Sequence, residues 1–235
     1  MSNILIIGAN SQLAQNFINE HGKEYSNIFG VDVQGEASIQ KIHYIQIDIM
    51  KIEEMNKISQ YIKRYTEHID NVIFFSAVNF MNDFYTLNEN DWEVSLKVNI
   101  TSILFILKEI YQLFSNKVAI VLVASQNGIV GHEKRIDYGV SKAALIHLTK
   151  QLSVDFSQDI SKDIRVNAVS PSYIVSERNK EFLRTWYGKK LLNRIPYKKF
   201  VEATDVSAVI RFLLSEESKA VRGHNLVVDY GYTIV

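Results

Sequence analysis

Lys117-Val-Ala-Ile-Val-Leu-Val-Ala-Ser125, followed after a short connection by Tyr138-Gly-Val-Ser-Lys142, is the stretch on which the fold reading turns. The first segment is a continuous β-branched apolar run, the pattern of a strand buried on both faces. The second opens a long amphipathic segment with helical spacing. The same alternation extends in both directions. Strands are expected at Asn3–Ile7, Asn27–Asp32, His43–Ile47, Asn71–Ser76, Lys117–Ala124, Ile164–Val169 and Asn225–Val228. Helices are expected at Ser11–His21, Ile52–Tyr65, Trp92–Phe114, Tyr138–Ser157 and Thr204–Leu214, with a further helical stretch inside Glu177–Leu192. Apolar strands alternating with helices predict an α/β domain, a doubly wound parallel sheet with helices on both faces.

Composition narrows the function. The 235 residues suit one domain with a full core. Lys plus Arg and Asp plus Glu balance at 26 each, so no overall charge calls for nucleic acid or an anionic membrane. The absence of Cys removes disulfides, thiolate metal sites and Cys nucleophiles. The six His show no metal-ligand spacing, and no metal is expected. The first apolar run is interrupted at Gly8, and no stretch approaches membrane-spanning length. A cytoplasmic location is expected.

Tyr138 and Lys142 lie four apart and share a helix face. A free phenol titrates near ~10, too high for proton transfer at neutral pH, and a neighbouring ammonium lowers it. Such a pair suits carbonyl and alcohol chemistry. Ser125, ending the preceding strand, would hold the carbonyl oxygen beside the phenol. Taken alone the pair reads better as a partly buried Tyr covered by a Lys stem, a common arrangement in helices; the partners supplied by the rest of the chain reverse that.

In a doubly wound sheet, ligands bind at the carboxyl ends of the strands. Gly8, Asp32, Asp48, Ser76, Ser125 and Pro171 all fall at or near such ends. The first strand runs into Gly8-Ala9-Asn10-Ser11-Gln12-Leu13-Ala14 and then a helix, whose N-terminus can face a pyrophosphate. Asp32 ends the second strand roughly 20 residues beyond the loop, where a carboxylate accepts hydrogen bonds from a ribose and repels a 2′-phosphate. Val33, Gln34 and Gly35 supply no cation, so NAD(H) is favoured over NADP(H). Asp48 either contacts the adenine amino group or caps the following helix.

These residues together resemble the short-chain dehydrogenase/reductase family, in its single-domain Rossmann-type branch, from Ile4 to Thr233. Asn99 in WEVSLKVNI matches the family's helix asparagine, and Ser125, Tyr138 and Lys142 match its serine and Tyr-x-x-x-Lys. RVNAVSP (Arg165 to Pro171), RIPYKKFVEATDV (from Arg194) and LVVDYG (Leu226 to Gly231) resemble later family segments. The resemblance implies that Tyr138 transfers the proton and that Lys142 lowers its pKa and bonds the nicotinamide ribose. Ser125 would orient the carbonyl, and Asn99 would hold a water linking Lys142 to solvent. It further implies cofactor contacts at Gly8, Ser11, Gln12, Leu13, Asp32, Asp48, Ile49, Ser76, Ala77, Pro171, Ile174 and Ser176. Four departures stand out. Only Gly8 of the family's Gly-x-x-x-Gly-x-Gly survives, with Gln12 and Ala14 at the other positions. Asn-Asn-Ala-Gly reads Phe75-Ser76-Ala77-Val78. Pro-Gly reads Pro171-Ser172, and Asp-Gly-Gly reads Asp229-Tyr230-Gly231.

The expected activity is interconversion of a secondary alcohol and a ketone with hydride transfer. The Tyr-to-Lys spacing favours C=O over C=C chemistry. A 3-oxoacyl-thioester reductase and a non-catalytic NAD-binding regulator are the alternatives. A substrate lid is expected at about residues 176–200. From Glu177 to Phe200 eight Lys and Arg face two Glu, 8 − 2 = +6. That charge either meets an anionic substrate such as a nucleotide sugar or belongs to a solvated helix face, the commoner arrangement. Tyr173, His132 and Arg135 are candidates for the pocket rim. Long apolar helices at Trp92–Phe114 and Tyr138–Ser157 predict, by the resemblance, a homodimer or homotetramer.

Overall fold

The structure, a computed structural model, describes residues 2–235. Seven parallel strands form one sheet in the order β3-β2-β1-β4-β5-β6-β7. They are β1 (Ser2–Ile7), β2 (Tyr25–Asp32), β3 (His43–Gln46), β4 (Ile69–Phe74), β5 (Phe114–Val123), β6 (Asp163–Pro171) and β7 (Asn225–Val228). Strand order reverses between β1 and β4, which places a crevice at the carboxyl ends of those strands.

Successive strand residues point to opposite faces. Leu5, Ile7, Val72, Phe74, Ile120 and Leu122 pack beneath α2 (Asn56–Ile62), α4 (Ser102–Ile110) and α5 (Ile136–Phe156). Ile4, Ile6, Ile73, Val121 and Val123 pack beneath α1 (Gln12–His21) and α8 (Ala203–Leu214). The expected doubly wound arrangement is therefore the observed one. α3 (Glu89–Leu96), α6 (Lys180–Arg184) and α7 (Trp186–Arg194) complete the set.

Three helices differ from expectation. The stretch expected as one helix at Trp92–Phe114 begins at Glu89 and is interrupted by a π-helical turn over Lys97–Thr101. The segment Ile52–Tyr65 starts as a 3₁₀ turn (Ile52–Glu54) before α2. The lid segment is two short helices, because Thr185 is extended and its hydroxyl caps α7 by accepting from Gly188 N.

Candidate active site

Asn99 sits inside the π-helical turn and is fully buried. Its Oδ1 accepts from Val78 N (2.9 Å), and its Nδ2 donates to Val78 O (3.0 Å) and to Ser141 Oγ (2.9 Å). Ser141 Oγ in turn donates to the Tyr138 carbonyl (2.8 Å). One amide side chain thus ties the segment after β4 to the first turns of α5. Single π-turns inside α-helices recur at functional sites.

On α5, Tyr138 and Lys142 project to the same side, with Lys142 Nζ 5.6 Å from the Tyr138 ring centre. Lys142 is 1% exposed, and its Nζ donates to Val123 O at 2.7 Å, at the end of β5. Burial pulls the Lys142 ammonium down to about 7. Burial also raises the Tyr138 phenol above its ordinary value, opposed by the Ser125 hydroxyl and the Arg135 guanidinium. Lys142 therefore approaches neutrality here, and it is Arg135 that supplies the opposing positive field. Ser125 lies two residues past β5, is buried, and accepts from Asn127 N (3.2 Å). The turn Gln126–Gly128 follows it and packs so closely on α5 that a Cβ on Gly128 would lie 2.6 Å from the Lys142 carbonyl carbon. Asn99, Ser125, Tyr138 and Lys142 converge from three elements on one corner of the crevice.

The other half of the crevice begins at Gly8, with φ +83°; a Cβ there would lie 2.6 Å from Ser76 N. The loops after β1 and β4 meet backbone to backbone as a result. Ser11 caps α1 by accepting from Ala14 N (3.3 Å), and no acidic residue occupies the first turn of that helix. Such an N-terminus favours an anion. Gln12 is exposed and reaches across the crevice, its Nε2 3.4 Å from Val175 O. Asp32 accepts from Asn10 N (3.0 Å) and Gln34 N (3.3 Å). Asp48 Oδ1 accepts from Met50 N (3.0 Å), a local cap that engages one of its two oxygens, and Ile49 is buried next to it. Leu13 packs against the core cluster under α1, and Ala77 is exposed. Pro171 closes β6; Ile174 bridges to Val201, and Asn179 Nδ2 donates to its carbonyl (2.8 Å). Ser176 Oγ accepts from Asn179 N (3.2 Å).

The residues fit a dinucleotide. Among the described residues, six buried side-chain polar atoms lack a partner, including Ser76 Oγ and Ser172 Oγ at the ends of β4 and β6. Unpaired hydroxyls at that depth mark where a ligand supplies the missing bonds.

The Tyr173 hydroxyl lies 2.6 Å from His132 Nε2, and its ring is edge-on to Phe200 and Tyr232. Sequence reasoning missed Ser141, Gln126 and Asn10. Asn10 Nδ2 donates to Glu36 O (2.8 Å), Gln34 Oε1 (3.2 Å) and Tyr44 OH (3.1 Å), while its Oδ1 accepts from Ser38 N (2.8 Å). The signal was its place in the loop after β1, where a short amide reaches both ways.

In the segment expected as a lid, five of the eight cations are paired or stacked. Lys180 pairs with Glu177, Arg184 with Glu181 (3.0 Å) and Arg194 with Glu133 (3.9 Å). Lys190 lies over Trp186 and Lys199 over Tyr230.

Comparison with known proteins agrees with this geometry. A family model described as "Enoyl-(Acyl carrier protein) reductase" matches residues 30–233. An NAD-dependent glycerol dehydrogenase of Listeria innocua is 28% identical over 206 residues, covering 86% of this chain and 80% of that protein. A 3-oxoacyl-[acyl-carrier-protein] reductase, FabG, of Buchnera aphidicola is 31% identical over 182 residues, covering 77% of this chain and 71% of that protein. The structure of a short chain dehydrogenase family protein from Francisella tularensis superposes with TM-score 0.88 at 19% identity, covering both chains fully, which speaks to the fold. Matches of this reach, on a sheet of this order, lead to one assignment: the chain belongs to the short-chain dehydrogenase/reductase family, oxidoreductases acting on CH–OH and C=O groups.

Proposed function

We propose that the protein interconverts a secondary alcohol and a ketone with NAD(H), Tyr138 giving or taking the proton. The observation that carries this reading is the buried corner where Ser125 and Lys142 flank the Tyr138 phenol. A bound nicotinamide supplies or accepts the hydride. Ser125 orients the carbonyl oxygen toward the phenol. Tyr138 then delivers its proton to that oxygen in reduction and recovers it in oxidation. Lys142 sits where it stabilises the phenolate whenever it holds its proton, and Asn99 fixes α5 through Ser141 so that both side chains keep their reach.

Preference for NAD(H) rests on Asp32 and on the residues after it. From Val33 to Gln40 the only charge is Glu36, and the first cation is Lys41. Gly8, Ser11, Gln12 and Leu13 would meet the pyrophosphate, Asp48 and Ile49 the adenine, and Ser76, Ala77, Pro171, Ile174 and Ser176 the nicotinamide half. Gln12 must release Val175 O for that. Tyr173 and the lid at about residues 176–200 would close over the substrate, in a cytoplasmic homodimer or homotetramer. A 3-oxoacyl-thioester substrate is the second reading, favoured by the Buchnera relative's name. An anionic substrate draws only on lid charge that is largely paired or stacked.

Titration with NADH and NADPH, followed by nicotinamide fluorescence, tests the cofactor half. NADH should bind at least tenfold more tightly. Tyr138→Phe should lose more than 99% of turnover and keep NADH affinity within a few-fold. Binding of neither nucleotide would move the non-catalytic alternative to the front.

A further inference from the structure

Five of the six unpartnered buried polar atoms among the described residues lie at the carboxyl edge of the central strands: Ser76 Oγ, Gln126 Oε1, Asn127 Oδ1, Asp137 Oδ1 and Ser172 Oγ. Two of them belong to the residues directly after Ser125. Gln126 is 2% exposed, and its main-chain carbonyl is already occupied by Ile129 N (2.9 Å) and Val130 N (3.0 Å). Only its side-chain amide is left wanting. Asn127 lines a cavity of 480 Å³ together with Asp83, His132 and Arg135. Buried polar groups in folded proteins are nearly always paired, so two adjacent amides with unpaired oxygens beside the reacting corner require a partner.

We propose that Gln126 and Asn127 form a polar subsite for substrate hydroxyl groups, so that the preferred substrate is a polyol or its hydroxyketone. This rests on the alcohol–ketone reading above. Both oxygens are acceptors and need a donor, and a neutral hydroxyl supplies one. A hydroxyl both donates and accepts, so it satisfies either end of a carboxamide. An alkyl chain leaves both oxygens unpaired, and a carboxylate has no donor to offer them. Asn127 N donates to Ser125 Oγ (3.2 Å), which holds the amide pair against the group that orients the carbonyl, so the second hydroxyl is expected close to the reacting carbon, on the next carbon or the one after it. A 3-oxoacyl thioester has no hydroxyl there.

Matched pairs differing by that one hydroxyl test the idea: butane-2,3-diol against butan-2-ol for oxidation, and 3-hydroxybutan-2-one against butanone for reduction. A site built to bond a hydroxyl rejects the analogue lacking it by up to about 10⁴-fold. The wild-type ratio of kcat/KM should exceed about 100 in favour of the hydroxylated partner. Gln126→Leu, close in volume but without the amide, should shrink that ratio at least tenfold, with nicotinamide fluorescence checking that the fold still takes NADH. If Gln126→Leu does not fold, Asn127→Ala serves the same comparison. Comparable turnover of both partners by the wild type would overturn the inference and leave the alcohol–ketone reading standing. Failure to turn over either pair while NADH binds would overturn both.

Discussion

Burial holds the Lys142 ammonium down to about 7 from 10.5, so the position that the chemistry needs is one that the fold resists. Below about pH 7 the folded and unfolded chains both carry the proton, and the full burial penalty is present. Between about 7 and 10.5 the unfolded chain binds the proton and the folded chain does not, so stability rises with pH across that window. The shift sets an upper bound of about 5 kcal/mol on the effect. Thermal unfolding of wild type and Lys142→Met should show it: the wild type gains stability relative to the variant from pH 7 to pH 10. A difference that stays flat over that range would mean the ammonium is not desolvated as described. At this scale Tyr138, Lys142 and Ser125 could be picked out in the sequence, because four-residue spacing on a helix and a hydroxyl at a strand end are local patterns, and Asn99 came from the family resemblance. It could not show that Lys142 donates to Val123 O, that Arg135 supplies the field at the phenol, or that Asn10 gathers the loop after β2. Each depends on residues brought together from distant segments.

Arg165, on β6, shows how an element is finished by a neighbour. Its guanidinium is buried and donates to Leu213 O (3.1 Å), Ser215 O (3.0 Å), Ser218 O (3.1 Å) and Ser218 Oγ (2.8 Å). These carbonyls belong to the end of α8 and the turn after it; Leu213 O and Ser215 O also accept from Ser218 Oγ (3.0 Å each) and Ser218 O from Val221 N (2.8 Å), so the guanidinium adds charge-assisted bonds to a turn that is already closed. Arg165→Met should cost about 2 kcal/mol by removing these charge-assisted bonds, lowering Tm by roughly 4–8 °C. Calorimetry of the two proteins measures this; a drop under 2 °C would show that water replaces the guanidinium. The helices and strands themselves were legible from apolar periodicity, mostly to within three residues at each end. The π-turn at Lys97–Thr101 was not, since the apolar stripe runs through it without a break. Its cause is tertiary: Asn99 is drawn to Val78 and Ser141. The break at Thr185 could have been read from its hydroxyl three residues before Gly188.

For the molecule as a whole, the parallel sheet with helices on both faces follows from the alternation of strands and helices, because parallel neighbours require crossovers, whereas the strand order is a feature of the structure alone. Assembly is where the outer surface has something left to explain. Phe105 on α4 and Val140 and Val154 on α5 are 37%, 46% and 60% exposed on helices that otherwise bury their apolar residues. Light scattering should give a mass of two or four times 27.0 kDa, and Val154→Glu should shift it downward. A wild-type mass of one chain would leave those side chains as ordinary surface.

The position of β1 also has a consequence in time. It lies between β2 and β4, with Ile4 opposite Ile28 on one side and Asn71 on the other. A ribosome releases β1 and β2 long before β4 emerges, so the first strand waits with one apolar edge uncovered. Contacts of such long range form slowly and leave strand edges open to wrong partners. A nascent chain cut short before Ile69 can never cover that edge, and aggregation rather than partial folding is the fate set for it by the sheet order.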